Sequence, residues 1–325
     1  MRFMRLMILA TGLSLGLASL NAAEQKKQVP DLPQAVSSFG AVTADGFVYI
    51  YGGHAGKTHS YSSETTLGKF YRVSIAKPES GWEELPGGTH LQGLALVEHA
   101  GKIIRIGGME PKNKAGEKAD LVSVSTVQAY DPKSKKWTGL TPMPEGRSSH
   151  DAVVVNDTLF VVGGWNMKGA GESSTWHDTA LSLDLKKADA KWQVLKQPFS
   201  RRALVAAAHD GKVFVIAGMD KESETSHDVN IYNVKTGEWS IGTKLPGARM
   251  NGFSPAACVL NDTVYISPAD GKLYRLDGDK VVEVSALKTA RFVHRMVAIG
   301  DNRILVLGGA SKGGTVAECE VIGMK

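Results

Sequence analysis

The segment LFVVGG, residues 159–164, joins a short apolar run to two consecutive glycines, and this unit recurs along the chain. Its other copies, some degraded, are FVYIYGG ending at Gly53, IIRIGG ending at Gly108, VFVIAG ending at Gly218, TVYIS ending at Ser267 and ILVLGG ending at Gly309. The first four glycine ends are 55, 56 and 54 residues apart. A period of about 50 residues indicates a chain that is built from one repeated unit.

A tryptophan and a polar turn recur in phase with these runs. The tryptophans, which are separated by 55, 55 and 47 residues, are Trp82, Trp137, Trp192 and Trp239. Dipeptides such as Asp45-Gly46 and Asp210-Gly211 precede the apolar runs and tolerate the positive φ of tight hairpins. Each repeat is therefore predicted to contain four short strands, a to d, with strand b ending at the glycines and strand d carrying the tryptophan. Such four-stranded repeats are the blades of a β-propeller.

We predict an all-β fold, a single six-bladed propeller of four antiparallel strands per blade over residues 24–325. The blades are expected to begin near Ser37, Thr89, Arg147, Arg201, Arg249 and Arg291. The last blade lacks a tryptophan strand before the chain ends. Residues 26–33 resemble the d-strand segment 137–144, so we expect them to complete this blade and to remove an exposed sheet edge. The alternative is a disordered leading segment beside an incomplete sixth blade.

The double glycines followed by spaced aromatic and tryptophan positions resemble the kelch family, over about residues 25–325. This resemblance implies a propeller but says little about function. Among exported bacterial members, the layout is similar to that of the N-acetylneuraminate epimerases, the mutarotases of sialic acid. That similarity implies an acid, a base and an arginine that holds a carboxylate.

Residues 1–23 have the features of a secretory signal peptide: a basic start with Arg2 and Arg5, an apolar stretch, and small residues at Ala22 and Ala23. We expect cleavage near Ala22/Ala23 and a protein in the periplasm or the medium, with a signal anchor as the alternative. Cleavage would lower the formal net charge from +5 to +3, too little to suggest a nucleic-acid partner. No later apolar run is long enough for membrane insertion, and we expect a monomer.

The strand order places the b–c loops and the d–a connections on one face. The b–c loops of blades one to three are long, which favours an off-centre pocket on that face. Arginine recurs at the d–a junctions, at Arg147, Arg201, Arg249 and Arg291, with Arg202 directly after Arg201. A partial ring of planar donors suits a carboxylate, sulfate or phosphate group. Bracing of neighbouring blades is the alternative role.

Two further residues are candidates for the same pocket. Trp165 lies outside the tryptophan phase of the repeat, as does Trp176 at the end of the same loop, and an aromatic face there could stack on a sugar ring. His177 would hydrogen-bond the ligand. The alternatives are a buried loop for the tryptophans, and backbone hydrogen bonding for the His177-Asp178 and His227-Asp228 pairs.

These features favour an exported propeller that binds an acidic sugar, a glycan or another anionic ligand, without a metal or other cofactor. A protein–protein interaction scaffold and a mutarotase-like isomerase are the alternatives. The resemblance to the epimerases implies a Glu and an Arg in the loop after a mid-chain glycine strand. That loop, residues 218–228, contains Glu222 and Glu224 but no Arg, and Met219 stands where the nearest acid would be. We therefore favour binding over turnover.

The two cysteines are expected to be separate thiols. Cys258 belongs to an inner strand a and Cys319 to a strand c, which places them beyond the reach of a disulfide. These positions also argue against copper radical chemistry of the kind found in galactose oxidase, whose catalytic kelch propeller requires a Cys–Tyr cross-link on the site face.

Overall fold

The computed structural model describes residues 29–324, which form six antiparallel β-sheets arranged as the blades of a propeller. The predicted signal peptide, residues 24–28 and Lys325 lie outside the described residues. Blades one to five each have four strands in the order a-b-c-d, whereas blade six has strands a, b and c. The predicted all-β, six-bladed architecture is confirmed.

The strands follow the repeat. Those of blades one to three are Gly40–Ala44, Phe47–Tyr51, Phe70–Ser74, Glu83–Leu85; Ala95–His99, Lys102–Ile106, Val127–Asp131, Lys136–Gly139; Asp151–Val155, Thr158–Val162, Thr179–Asp184, Gln193–Lys196. Those of blades four to six are Val205–His209, Lys212–Ile216, Asp228–Asn233, Glu238–Lys244; Ala256–Leu260, Thr263–Ser267, Lys272–Asp277, Lys280–Ala286; Arg295–Ala298, Arg303–Leu307, Cys319–Gly323.

Short additional elements decorate the loops. Three two-stranded ribbons pair Met109–Pro111 with Leu121–Ser123, Trp165–Asn166 with Thr175–Trp176, and Ala310–Ser311 with Gly314–Thr315. Two 3-10 turns span Pro78–Ser80 and Arg249–Gly252. Among the described residues, no helix is long and apolar enough to cross a membrane.

Strand a of each blade contacts strand a of the next, and the last contacts the first, so the a strands line a closed ring. Just before each strand a, one residue donates its backbone N–H to the equivalent residue of a neighbouring blade, over N···O distances of 2.7 to 3.1 Å. We call these six residues the belt; they all have positive φ and are Ser38, Gly93, Ser149, Ala203, Ser254 and Val293. The belt joins blade six to blade one through the bond from Ser38 N to Val293 O, 3.0 Å long.

The glycine pairs lie where the backbone of the next blade approaches closely. Gly164 N donates to Arg201 O at 2.8 Å, and a Cβ on Gly163 would lie only 2.7 Å from that same oxygen. Both glycines also have positive φ, which favours residues without a side chain. The same bond to the next blade recurs from Gly53 to Leu91, Gly108 to Arg147, Gly218 to Gly252 and Gly309 to Val36.

The N-terminal segment closes the ring against blade six. Leu32 N donates to Ala317 O at 2.8 Å, and Asp31 Oδ1 accepts from Cys319 N at 2.9 Å. Trp82 Nε1 donates to Pro30 O at 3.0 Å, as Trp137, Trp192 and Trp239 do to the strand-d region of the preceding blade. Residues 29–33 thus occupy the strand-d side of blade six, although they form no regular strand.

The core is divided among six apolar clusters, one between each pair of neighbouring sheets. Buried Val29, Leu32 and Val36 belong to the cluster between blades six and one. Most of the buried apolar area therefore lies between blades that are adjacent in the sequence. The first described residues contribute to the remaining interface, between blades six and one.

Candidate functional site

One residue of each blade stands immediately before the belt, at the mouth of the central channel. These mouth positions are Ser37, Gln92, Ser148, Arg202, Phe253 and Phe292. Except in blade five, the mouth residue pairs in antiparallel fashion with the residue that follows the glycine end of strand b, as in Ser148 with Trp165 and Arg202 with Met219. The b–c loops and d–a connections therefore share one face, as predicted.

The long b–c loops of blades one to three, residues 52–69, 107–126 and 163–178, are pinned to one another. Asn113 Nδ2 donates to Tyr61 O at 2.9 Å, and Ala170 N donates to Asp120 Oδ1 at 2.8 Å. Ser123 N donates to Met167 O, also at 2.8 Å. We call these three joined loops the loop wall. It borders the mouth, because the mouth residues of blades one to three each pair with one of its residues.

Arg202, the mouth residue of blade four, lies against this wall. Its guanidinium carbon is 4.3 Å from the centre of a Trp165 ring and 5.4 Å from that of Trp176. The two indoles lie next to each other, with ring centroids 5.4 Å apart. Such cation–π contacts hold the guanidinium in place.

The charge of Arg202 is not compensated by a carboxylate. No Asp or Glu of residues 29–324 lies within ion-pair distance of it, and its one recorded side-chain hydrogen bond runs to Met219 Sδ at 3.5 Å, a weak acceptor. Its Nε is buried without a partner. Burial lowers the pKa of Arg202 from its usual value, and the nearby Tyr61 phenol opposes that decrease.

Tyr61 of the loop wall approaches the same cation. Burial raises the pKa of the Tyr61 phenol, and the charge of Arg202 opposes that rise. The ring of Tyr61 lies 4.9 Å from that of His54, whose Nδ1 is buried without a partner. Arg202, Trp165, Trp176 and Tyr61 thus bring together a cation, two indoles and a phenol from blades four, three and one.

Two of the four predicted arginines point into their own blades. Arg147 Nη1 donates to Gly163 O and to Thr179 O, each at 2.8 Å. Arg291 repeats this arrangement in blade six, with bonds from Nη1 to Gly308 O at 3.3 Å and to Glu318 O at 3.0 Å. Both side chains are buried, and burial lowers the pKa of Arg147 to about 10. This geometry is that of braces between strands b and c.

Arg201 and Arg249 differ from that pair and from each other. Arg201 is buried, donates to Asn230 Oδ1 and lies over the Phe199 ring, so it also contacts its own blade. Arg249 is exposed in a 3-10 turn, donates to Ser223 O and lies 3.6 Å from Glu224. The structure does not bring the four predicted arginines together into one arc.

The register of Arg249 departs from that of the other three. The bond from Gly218 N ends at Gly252 O, whereas the equivalent bond from Gly164 N ends at Arg201 O. Gly252 is therefore the counterpart of Arg201, and Arg249 lies three residues earlier. A role of these arginines in ligand binding stays a prediction.

The other two predicted site residues have different surroundings. Trp165 lies in the loop wall beside Arg202 and remains partly exposed. His177 is buried, and its Nε2 lies 3.1 Å from Gly146 O. Burial lowers the pKa of His177 to about 4, so its imidazole is neutral near pH 7. His227 likewise contacts a backbone oxygen, Leu245 O, at 2.9 Å.

Cys258 and Cys319 are free thiols, as predicted, and burial raises the pKa of each to about 12. Within residues 29–324 no group of three or more His, Cys, Asp or Glu side chains is arranged to hold a metal ion.

The sequence did not single out Arg202 or Tyr61 as residues of the candidate site. The signal for Arg202 was present in its position directly after Arg201, because adjacent residues of an extended segment point in opposite directions. Tyr61 could not be found in this way, because a long loop has no repeat register.

Comparisons with known proteins agree with this architecture. Residues 38–271 match the KLHDC2/KLHL20/DRC7 Kelch-repeats domain. The N-acetylneuraminate epimerase of Salmonella typhi is 25% identical over 70% of this chain and 50% of its own length. Kelch-like protein 7 of Rattus norvegicus is 27% identical over 42% of this chain and 21% of its own. The chain thus spans half or less of these curated relatives.

The solved structure of YjhT superposes with a TM-score of 0.75 and 16% sequence identity, covering 91% of this chain and 97% of that one. At this identity the likeness concerns the fold alone. Because the Kelch model matches residues 38–271, well over half of the chain, the chain belongs to the Kelch-repeat family.

Proposed function

We propose that the protein is an exported Kelch propeller that binds an acidic sugar, a glycan carboxylate or a related anion at Arg202. The observation that carries this proposal is a half-buried guanidinium held against two indole rings without a carboxylate partner. Desolvating a cation is costly unless an anion compensates it, so the site is poised for a ligand that supplies the missing charge.

The chemistry of the site favours a carboxylated sugar. A guanidinium edge binds a carboxylate through two parallel hydrogen bonds, which fixes the orientation of the ligand. The partly exposed indoles beside it offer apolar faces on which a sugar ring can pack. The similarity to an N-acetylneuraminate epimerase makes sialic acid the first ligand to test.

Turnover is the second candidate, because the epimerase similarity extends over 70% of the chain. Exchange of anomers requires a proton donor and an acceptor at the ring oxygen and the anomeric hydroxyl. The acids of the loop after Gly218 are not placed for this, since Glu224 pairs with Arg249 and Glu222 lies beside Lys221 at the surface. Met219 contacts Arg202 where an acid would neutralise it. Binding is therefore the better supported function.

A protein partner is the remaining alternative, because the Kelch relatives include the Kelch-like proteins. A protein ligand with an Asp or Glu at its tip would use the same guanidinium.

Export through the predicted signal peptide is part of the proposal. Mass spectrometry of secreted or periplasmic protein should find an N-terminus near Glu24.

The test is calorimetric titration of the mature chain with N-acetylneuraminic acid, glucuronic acid and their neutral counterparts. We expect binding of acidic sugars only, and at least a tenfold loss of affinity in Arg202→Gln. Arg249→Gln is the matched control, because Arg249 is an exposed arginine on the same face that already has an acidic neighbour. Equal weakening by the two variants, or binding of neutral sugars with the same affinity, would contradict the proposal.

A further inference from the structure

The channel mouth is chemically divided. Ser37, Gln92 and Ser148, the mouth residues of blades one to three, are buried beneath the loop wall. The mouth residues of blades four to six, Arg202, Phe253 and Phe292, are all partly exposed. The open half of the mouth therefore presents one cation followed by two phenylalanines in ring order.

The two phenylalanines form a continuous apolar surface, which we call the shelf. Their ring centroids are 6.0 Å apart at an interplanar angle of 60°. Phe253 remains partly exposed. The b–c connection of blade five consists only of residues 268–271, which is too short to form a covering loop. An aromatic pair left half-exposed on this face retains apolar area that a ligand can bury.

The shelf and Arg202 are neighbours in the ring. The belt residue that follows Phe253 donates to the one that follows Arg202, through a bond from Ser254 N to Ala203 O of 2.8 Å. The next belt bond, from Val293 N to Ser254 O at 3.1 Å, places Phe292 one blade further on. A ligand held at Arg202 by its carboxylate therefore meets the shelf on one side and the loop wall on the other.

We infer that Phe253 and Phe292 determine specificity by selecting anions that carry an apolar substituent, such as an acyl or aryl group, on the side facing blades five and six. This inference rests on the proposed function, because Arg202 supplies the anchor. It predicts discrimination between carboxylates of equal charge, which an electrostatic site alone would not produce.

The experiment compares two matched pairs of acidic sugars by calorimetric titration. One pair is N-acetylneuraminic acid and its analogue with a hydroxyl in place of the acetamido group. The other pair is phenyl β-D-glucuronide and glucuronic acid. We expect the substituted member of at least one pair to bind about tenfold more tightly, the scale expected for burying a small apolar group.

Variants separate the shelf from the anchor. Phe253→Ala and Phe292→Ala should remove the preference within that pair and leave the affinity for its unsubstituted member within about twofold. Phe253→Leu, which keeps apolar area, should restore part of the preference. Ile241→Ala is the control, because Ile241 is an exposed apolar side chain on the outer strand of blade four. Circular dichroism melting identifies any variant that is misfolded.

Each outcome has a distinct meaning. Equal affinity for both members of both pairs in the wild type would overturn the role of the shelf and leave the anchor role of Arg202 intact. A loss in the Phe253→Ala variant that is equal for both members would also overturn it. If none of the four sugars binds the wild type, the proposed function and the shelf fail together.

Discussion

Arg295 and Asp151 meet across the central channel, with Arg295 Nη1 3.2 Å from Asp151 Oδ1, although the two residues belong to opposite blades, six and three. Arg295 also donates from Nε to Phe39 O at 2.9 Å and from Nη2 to Leu94 O at 3.2 Å. Asp151 Oδ2 accepts from Ala206 N at 2.9 Å. One ion pair thus connects the first residues of five blades just beneath the belt.

The first prediction concerns this central ion pair. Replacing Arg295 by Met leaves the Asp151 carboxylate, which is 8% exposed, without its counter-ion. We expect a loss of about 3 kcal/mol in the free energy of unfolding, since breaking a buried pair strands a charge. Urea unfolding of Arg295→Met, Asp151→Asn and the double variant measures the coupling. Additive losses from the two single variants would show that the pair does not act as a unit.

The second prediction compares the loss of stability on replacing Arg147, which braces strands b and c, with that on replacing the exposed Arg249. Arg147→Ala leaves Gly163 O and Thr179 O without their donor in the interior, and we expect a loss of about 2–4 kcal/mol. Arg249→Ala should change the free energy of unfolding by less than about 0.5 kcal/mol, because its ion pair is exposed. Thermal melts of the two variants give the comparison. A destabilised Arg249→Ala would contradict the register assigned to Gly252.

The third prediction is a dependence of stability on pH through buried His294. Burial lowers the pKa of His294 to about 3, so the folded state keeps it neutral while the unfolded state binds a proton below about pH 6.5. Because the unfolded state then binds more protons, stability falls as the pH decreases from 6.5 towards 3. In His294→Gln we expect the slope between about pH 5.5 and 4 to decrease by about 1.4 kcal/mol per pH unit.

Urea unfolding of the wild type and His294→Gln at each pH gives the two slopes. An unchanged slope in His294→Gln would mean that the buried imidazole takes up a proton in the folded state.

The fourth prediction concerns the thiols. Cys258 and Cys319 have thiol pKa values of about 12, so the reactive thiolate is scarce at pH 8. A chromogenic disulfide reagent should titrate two thiols in 6 M urea and react only slowly with the folded chain. Reductant should leave the melting temperature unchanged. Finding no thiols in urea would reveal a disulfide and contradict the separate positions of the two residues.

The fold could be predicted because its determinants repeat. The pair Gly163-Gly164 accommodates the next blade, and the same close approach recurs at five of the six interfaces, so the spacing of the glycines indicates the repeat. Ring closure was also predictable, because the N-terminal segment shares its pattern with strand d. That residues 29–33 pack without a regular strand depends on local pairing with blade six, which the pattern does not encode.

The site was predicted only in part. The face that carries the candidate site, and the choice of Trp165, followed from loop lengths and from a tryptophan outside the repeat phase. Arg249, which was expected among the junction arginines, lies three residues before the equivalent position, in a 3-10 turn that precedes the mouth of blade five. The pair of Arg295 and Asp151 joins opposite blades, and no local pattern reports a contact between residues that are 144 positions apart.

The most direct measurement is a crystal structure of the mature chain with N-acetylneuraminic acid at millimolar concentration. We expect the carboxylate at the mouth, within about 3 Å of the Arg202 guanidinium nitrogens, with the sugar between the loop wall and the shelf. A carboxylate bound at Arg249, or a mouth without sugar although the crystals contain it elsewhere, would contradict the assignment of Arg202 as the anchor.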